Sequence, residues 1–157
     1  MNPILAAGES CLQRAADAGV DGILVTDLPV GADPEREAWL GRSKLAFIRL
    51  VAPTTPLERM REISSHGSGF VYLISRLGVT GTQESISAGL APAVTRLRSV
   101  TALPICVGFG ISGPAQAATI AELADGVIIG SALVRASGTS IDDALNLTAA
   151  LRRALDS

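Results

Sequence analysis

Tyr72-Leu73-Ile74-Ser75-Arg76-Leu77-Gly78-Val79-Thr80-Gly81 is the stretch on which the fold turns. The apolar run from Phe70 to Ile74 has the length and the aromatic and β-branched content of a buried strand, and it breaks into a loop flanked by Gly78 and Gly81. Taken alone, such a loop reads either as an ordinary strand-to-helix connection or as the mobile loop of a site. The neighbouring segments decide between them.

On the N-terminal side, Pro3-Ile4-Leu5 leads through Gly8 into a helix expected over 9–18, which Gly19 stops in a left-handed conformation. Ile23-Leu24-Val25-Thr26 is a short aliphatic strand, turned by Asp27-Leu28-Pro29 because proline has no amide hydrogen for a sheet ladder. Asp33 followed by Pro34 reads as an N-cap and first helical residue, with a helix to about Leu40. A strand from Leu45 to Val51 follows, then a helix opened by Thr55 and Glu58 at capping-box spacing and ending near Gly67.

On the C-terminal side, Leu90, Val94 and Leu97 share a helical face, and Pro92 suggests a helix that begins near itself. Pro104-Ile105-Cys106-Val107-Gly108-Phe109-Gly110 follows, a strand that Gly108-Phe109-Gly110 closes. Ser112 and Pro114 open a helix through Leu123, Val127 to Ile129 is the last strand, and Gly130-Ser131 leads into a short helical turn at 132–135. The final helix starts at Ser140, with Asp142 and Asp143 in its first turn and Arg152 and Arg153 in its last, each sign matching the helix dipole.

Strand and helix alternate with no hairpin turn, which predicts an α/β fold with one parallel sheet, its five strands in chain order and its edges near Ile23 and Val127. A closed (β/α)8 barrel takes roughly 250 residues. This chain has 157, so the expectation is an incomplete barrel forming a single domain over 1–157. The core must be aliphatic, because 48% of residues are hydrophobic and only 3% aromatic. Ala18-Gly19-Val20-Asp21-Gly22-Ile23-Leu24-Val25 and Leu123-Ala124-Asp125-Gly126-Val127-Ile128-Ile129 echo one another as helix end, Asp-Gly turn and strand start, as repeated βα units would.

Thirteen basic residues against fifteen acidic give a net charge of −2 without a basic run, so nucleic acid is discarded as a partner. No stretch approaches the ~20 apolar residues that cross a bilayer, and a signal peptide's order is lacking, so a cytoplasmic location without membrane contact is expected. Cys11 and Cys106 have no His or Cys nearby to complete a metal site and read as buried thiols. No metal or cofactor is expected.

In a barrel, chemistry sits at the C-terminal ends of strands, and a phosphate often lies between the last two loops and the first turn of a small helix. Gly108-Phe109-Gly110 and Gly130-Ser131 supply unhindered backbone N–H groups and a hydroxyl in that place, with Gly81 as a third element, which favours a phosphate site over glycines that only permit turns. Asp27 ends a strand on the same face and is either a site residue or the stabiliser of its own turn. His66, the one histidine, reads as a solvated helix end. Arg49 inside an apolar strand either snorkels outward or reaches a carboxylate.

Asn2-Pro3-Ile4-Leu5, Thr26-Asp27-Leu28-Pro29, Val51-Ala52-Pro53-Thr54-Thr55-Pro56, Gly69 to Ser75, Gly78-Val79-Thr80-Gly81, Val107-Gly108-Phe109-Gly110-Ile111-Ser112 and Asp125 to Ala132 together resemble the α subunit of tryptophan synthase. That resemblance implies a (β/α)8 barrel that cleaves indole-3-glycerol phosphate to indole and glyceraldehyde 3-phosphate and passes the indole to a β subunit. The five strands here would be the fourth to eighth. Gly81, Gly110, Gly130 and Ser131 match the substrate-phosphate positions, Leu24, Tyr72 and Phe109 the indole pocket, and Thr80 the loop threonine that closes over the site. The family's catalytic glutamate and aspartate belong to its second strand and the loop after it, upstream of Met1, so no catalytic residue is assigned and the isolated chain is expected to be inactive. Two other readings stay open: a non-catalytic phosphate-binding or β-subunit-docking module, and another phosphosugar barrel such as a histidine-biosynthesis isomerase, which leaves Gly78-Val79-Thr80-Gly81 unexplained.

Overall fold

Five strands lie side by side in chain order in the computed structural model, which describes residues 3–74, 83–108 and 110–156, except the side chains of 5 and 83–89. They are β1 (Gly22–Leu24), β2 (Ala46–Val51), β3 (Val71–Ile74), β4 (Ile105–Gly108) and β5 (Gly126–Ile128), and every neighbouring pair is parallel. The edges are β1 and β5, as the alternating pattern predicts. The helices are α1 (Pro3–Ala7), α2 (Glu9–Asp17), α3 (Pro34–Arg42), α4 (Leu57–Ser65), α5 (Gln83–Arg98), α6 (Pro114–Ala121), α7 (Ser131–Thr139) and α8 (Ile141–Leu155).

Local chemistry sets most of these boundaries. Asp33 caps α3 by accepting from the Arg36 amide at 3.0 Å, Ser140 caps α8 by accepting from the Asp143 amide at 3.0 Å, and Gly19 turns the chain at φ 90. Four expectations change. Thr55 does not cap α4: its hydroxyl accepts from the Ala52 amide at 3.1 Å, stabilising the preceding turn, and Pro56 takes the cap position. Pro92 lies inside α5, where the buried face of Leu90, Ala93, Val94 and Leu97 outweighs proline's preference for a first turn. Ser112 is spent on Gln116, and Gly113 occupies the N-cap of α6. The turn expected at 132–135 is the longer helix α7, and the short helix α1 was not expected at all.

Strand alternation separates two faces. On the helix-facing side Phe47, Val51, Val71, Leu73, Ile105 and Val107 are buried beneath the helices, and Leu97 and Ile120 are fully enclosed. Each such side chain contributes roughly 1.5–3 kcal/mol through removal from water. Leu24, Leu50, Tyr72, Ile74, Cys106 and Ile128 alternate onto the other face and are only half-buried. That explains why Cys106 is not the enclosed thiol its setting in an apolar strand suggests, and Cys11 is also half-buried.

Candidate functional site

The C-terminal ends of the strands form one rim. Gly108 on β4 is in register with Ile128 on β5, so Gly110 and Gly130, each two residues further on, leave the sheet side by side. Gly110 has φ 79 and needs glycine for its own backbone. Gly130 does not: its φ is −112, and a Cβ placed on it meets no described atom within 4 Å. It is the N-cap of α7, no side chain caps that helix, and Ser131 beside it is exposed. The first turn of α7 therefore offers backbone N–H groups and the positive end of a helix dipole at the rim, next to the Gly110 loop.

Leu24 and Tyr72 share the half-buried face, because Leu24 pairs with Ile48, Leu50 lies two residues on, and Leu50 pairs with Tyr72. The Tyr72 ring lies against Gly108, where an added Cβ would sit 2.5 Å from the phenol oxygen. Burial pushes the Tyr72 phenol up from its ordinary value. Thr80, Gly81 and Phe109 lie outside the described residues. Asp27 is exposed, three residues beyond β1, at the opposite edge from the Gly110 and Gly130 loops. Along the sheet it is four strand spacings, roughly 19 Å, from the Gly130 loop and three, roughly 14 Å, from the Gly110 loop.

Arg49 reaches a carboxylate. It is 4% exposed on the helix-facing side of β2, pairs with Glu37 of α3 at 2.7 Å, and stacks 3.8 Å from the Phe47 ring centroid. The sequence offered the signal, a charged residue amid apolar ones, but not the partner twelve residues upstream. A cleft of about 460 Å³ opens beside this pair between α3 and α4, lined by Gly31, Glu37, Phe47, Arg49, Glu62 and His66. It lies on the helix-facing side, away from the glycine loops. Gly67, in its wall, approaches Arg49 so closely that a Cβ would sit 2.8 Å from Arg49 Cγ.

Comparison with known proteins gives this geometry its context. The family model for the tryptophan synthase alpha chain matches residues 1–155. The chain belongs to the tryptophan synthase alpha chain family. It is 48% identical over 135 residues to the tryptophan synthase alpha chain of Geotalea daltonii, covering 85% of this chain and 51% of that one. A relative from Caulobacter sp. is also 48% identical, over 136 residues, covering 85% and 49%. Tryptophan synthase of Mycobacterium tuberculosis, solved in space group F222, superposes with a TM-score of 0.86 at 36% identity over 98% of this chain and 59% of that chain. A mutant alpha subunit from Pyrococcus furiosus gives 0.81 at 34% identity, covering 99% and 64%. The chain spans about half the length of the curated relatives it matches.

Within the family's barrel architecture the open five-stranded sheet is an incomplete barrel, with its half-buried face where a barrel has its interior. Carboxylates are scarce at its rim. In the sequence, the segments between each strand's C-terminal end and the next helix contain Asp27 and Asp33, and Asp33 is the α3 cap. Asp125 sits at the opposite end of the sheet, accepting from the Ile105 amide at 2.8 Å with Arg98 beside it at 3.2 Å, and these contacts hold its carboxyl below the usual range. Among the described residues no group of three or more His, Cys, Asp or Glu could hold a metal ion, and no helix is long and apolar enough to cross a membrane.

Proposed function

We propose that the chain forms the substrate-binding part of a tryptophan synthase alpha site, holding the phosphate of indole-3-glycerol phosphate at Gly110, Gly130 and Ser131, with Gly81 completing the cradle. The observation that carries this reading is Gly130, a glycine with negative φ at the N-cap of α7, where no side chain caps the helix and an added Cβ meets no described atom within 4 Å, so the first-turn N–H groups stand open at the rim. Leu24 and Tyr72 supply an apolar face for the indole ring, and the family resemblance assigns Phe109 to the same pocket and Thr80 to the loop that covers it. The indole would then pass to a β subunit.

The same reading makes the isolated chain a binder without turnover. Cleavage requires a proton delivered to C3 of the indole ring while a base removes one from the glycerol hydroxyl, and each positioned group typically contributes 10²–10⁴-fold. Asp27 is one carboxylate for two roles. It also stands at the far edge of the sheet from the phosphate cradle.

Calorimetric titration of the purified chain with indole-3-glycerol phosphate tests the proposal, with Gly130→Leu as comparison. Saturable binding that Gly130→Leu abolishes supports it. Equal binding by both proteins would restrict these glycines to the turns.

A further inference from the structure

The loop from Leu28 to Gly31, immediately after Asp27, is held by side chains from three other elements. Arg49 of β2 donates through Nη1 to the Leu28 carbonyl at 3.1 Å, Arg59 of α4 donates to the Val30 carbonyl at 2.8 Å, and the Gly31 amide donates to Glu37 Oε1 of α3 at 2.6 Å. The second Glu37 oxygen accepts from Arg49 Nη2 at 2.7 Å, while Arg49 Nε holds the His66 carbonyl at 3.0 Å. Arg49 and Glu37 side chains are 5% and 9% exposed. A desolvated ion pair of this kind is a poor source of stability, because an apolar pair of similar volume is often as good or better. What an apolar pair cannot do is fix a backbone segment through directed hydrogen bonds.

We propose that Arg49 and Glu37 are positioning residues, with Arg59 as an outer brace, that fix the loop carrying Asp27 and so set where that loop stands on the substrate-binding rim. The last clause rests on the reading of that rim given above; the clamp itself does not. The loop has an internal reporter that the clamp residues do not touch, the Ala32 amide bonded to the Pro29 carbonyl at 3.0 Å.

The experiment is the Arg49→Met, Glu37→Met double variant, which removes the pair without leaving one buried charge alone. Its circular dichroism is expected to match that of the parent, which shows that the variant folds. Hydrogen exchange at Ala32 is expected to accelerate by at least about tenfold, the loss of one or more charge-assisted hydrogen bonds. The Asp125 amide, bonded to the Ile105 carbonyl at the other edge of the sheet, is expected to exchange as before. Affinity for indole-3-glycerol phosphate is expected to fall about tenfold in parallel. A folded double variant with unchanged exchange at Ala32 overturns the clamp, and a loosened loop with unchanged affinity overturns its link to substrate. If the double variant does not fold, Arg59→Met decides instead, since that side chain is only part-buried: faster Ala32 exchange supports the clamp and unchanged exchange overturns it. A parent chain that binds no substrate overturns the proposed function, while the exchange measurement still decides the clamp.

Discussion

Tyr72 on β3 lies across Gly108 on β4, with its phenol oxygen 2.5 Å and its Cε2 2.7 Å from where a Cβ on residue 108 would stand. The two residues are on adjacent strands, on the face proposed to receive the indole ring. Gly108 therefore decides where Tyr72 is.

Gly108→Ala is expected to swing the Tyr72 ring outward, because the clash is with the far end of a side chain that has room on its exposed side. Tyr72 is the only tyrosine, so absorbance in an alkaline titration reads it alone. In the parent the phenol titrates above its ordinary value of about 10, since burial favours its neutral form. With its folded pKa raised, the neutral phenol's contribution to stability is complete below the ordinary value and is lost as pH rises through the folded one. Gly108→Ala should bring the titration back toward the ordinary value, and an unmoved midpoint would mean that the ring stays in place.

The two rim glycines are expected to respond differently to alanine. At Gly110, with φ 79, a Cβ costs roughly 1–2 kcal/mol of stability. At Gly130, with negative φ and open space, only alanine's weaker N-cap preference enters, and the change should be smaller, roughly 0.5–1 kcal/mol. Urea unfolding of both variants checks the contrast. Equal losses would remove the argument that Gly130 is small for the sake of a ligand.

Asp125→Ala is expected to cost about 1–3 kcal/mol, because it leaves the buried Ile105 amide without its acceptor. The carboxyl is held low, chiefly by that amide and also by Arg98. Its contribution is present above the ordinary carboxylate range and is lost as pH falls through the depressed folded value. Acid unfolding should accordingly separate parent from variant at neutral pH and bring them together toward low pH. A constant gap across that range would contradict the assignment.

The isolated chain is expected to associate in solution. Among the described residues β1 and β5 each pair on one side only, and Leu24, Leu50, Ile74 and Ile128 are only half-buried between them. Sedimentation velocity over a range of concentrations measures this. A monomer at every concentration with one sharp unfolding transition would contradict it.

Much of the fold was legible because its signals are local. The Asp33-Pro34 start of α3, the Ser140 cap of α8, the turn at Gly19 and the alternation of strand with helix each follow from a few adjacent residues. Tertiary packing overrode the rest. Pro92 and Thr55 carry start signals that serve other purposes once Leu97 is buried and the Ala52 amide needs an acceptor. Gly110, Gly130 and Ser131 were readable as rim residues from strand ends alone. The difference between the two glycines was not, because it is a matter of backbone angle, and neither was the Arg49–Glu37 clamp, because its partners are brought together by a crossover between neighbouring strands.

The proposal that these 157 residues supply the substrate-binding part of a tryptophan synthase alpha site is tested most directly by indole release from indole-3-glycerol phosphate. The purified chain is assayed alone and after addition of a separately expressed polypeptide carrying the family's first three strands with its catalytic glutamate and aspartate. The account predicts no indole from the chain alone and indole once the second polypeptide is present. Indole from the chain alone, or none from the mixture, would contradict it.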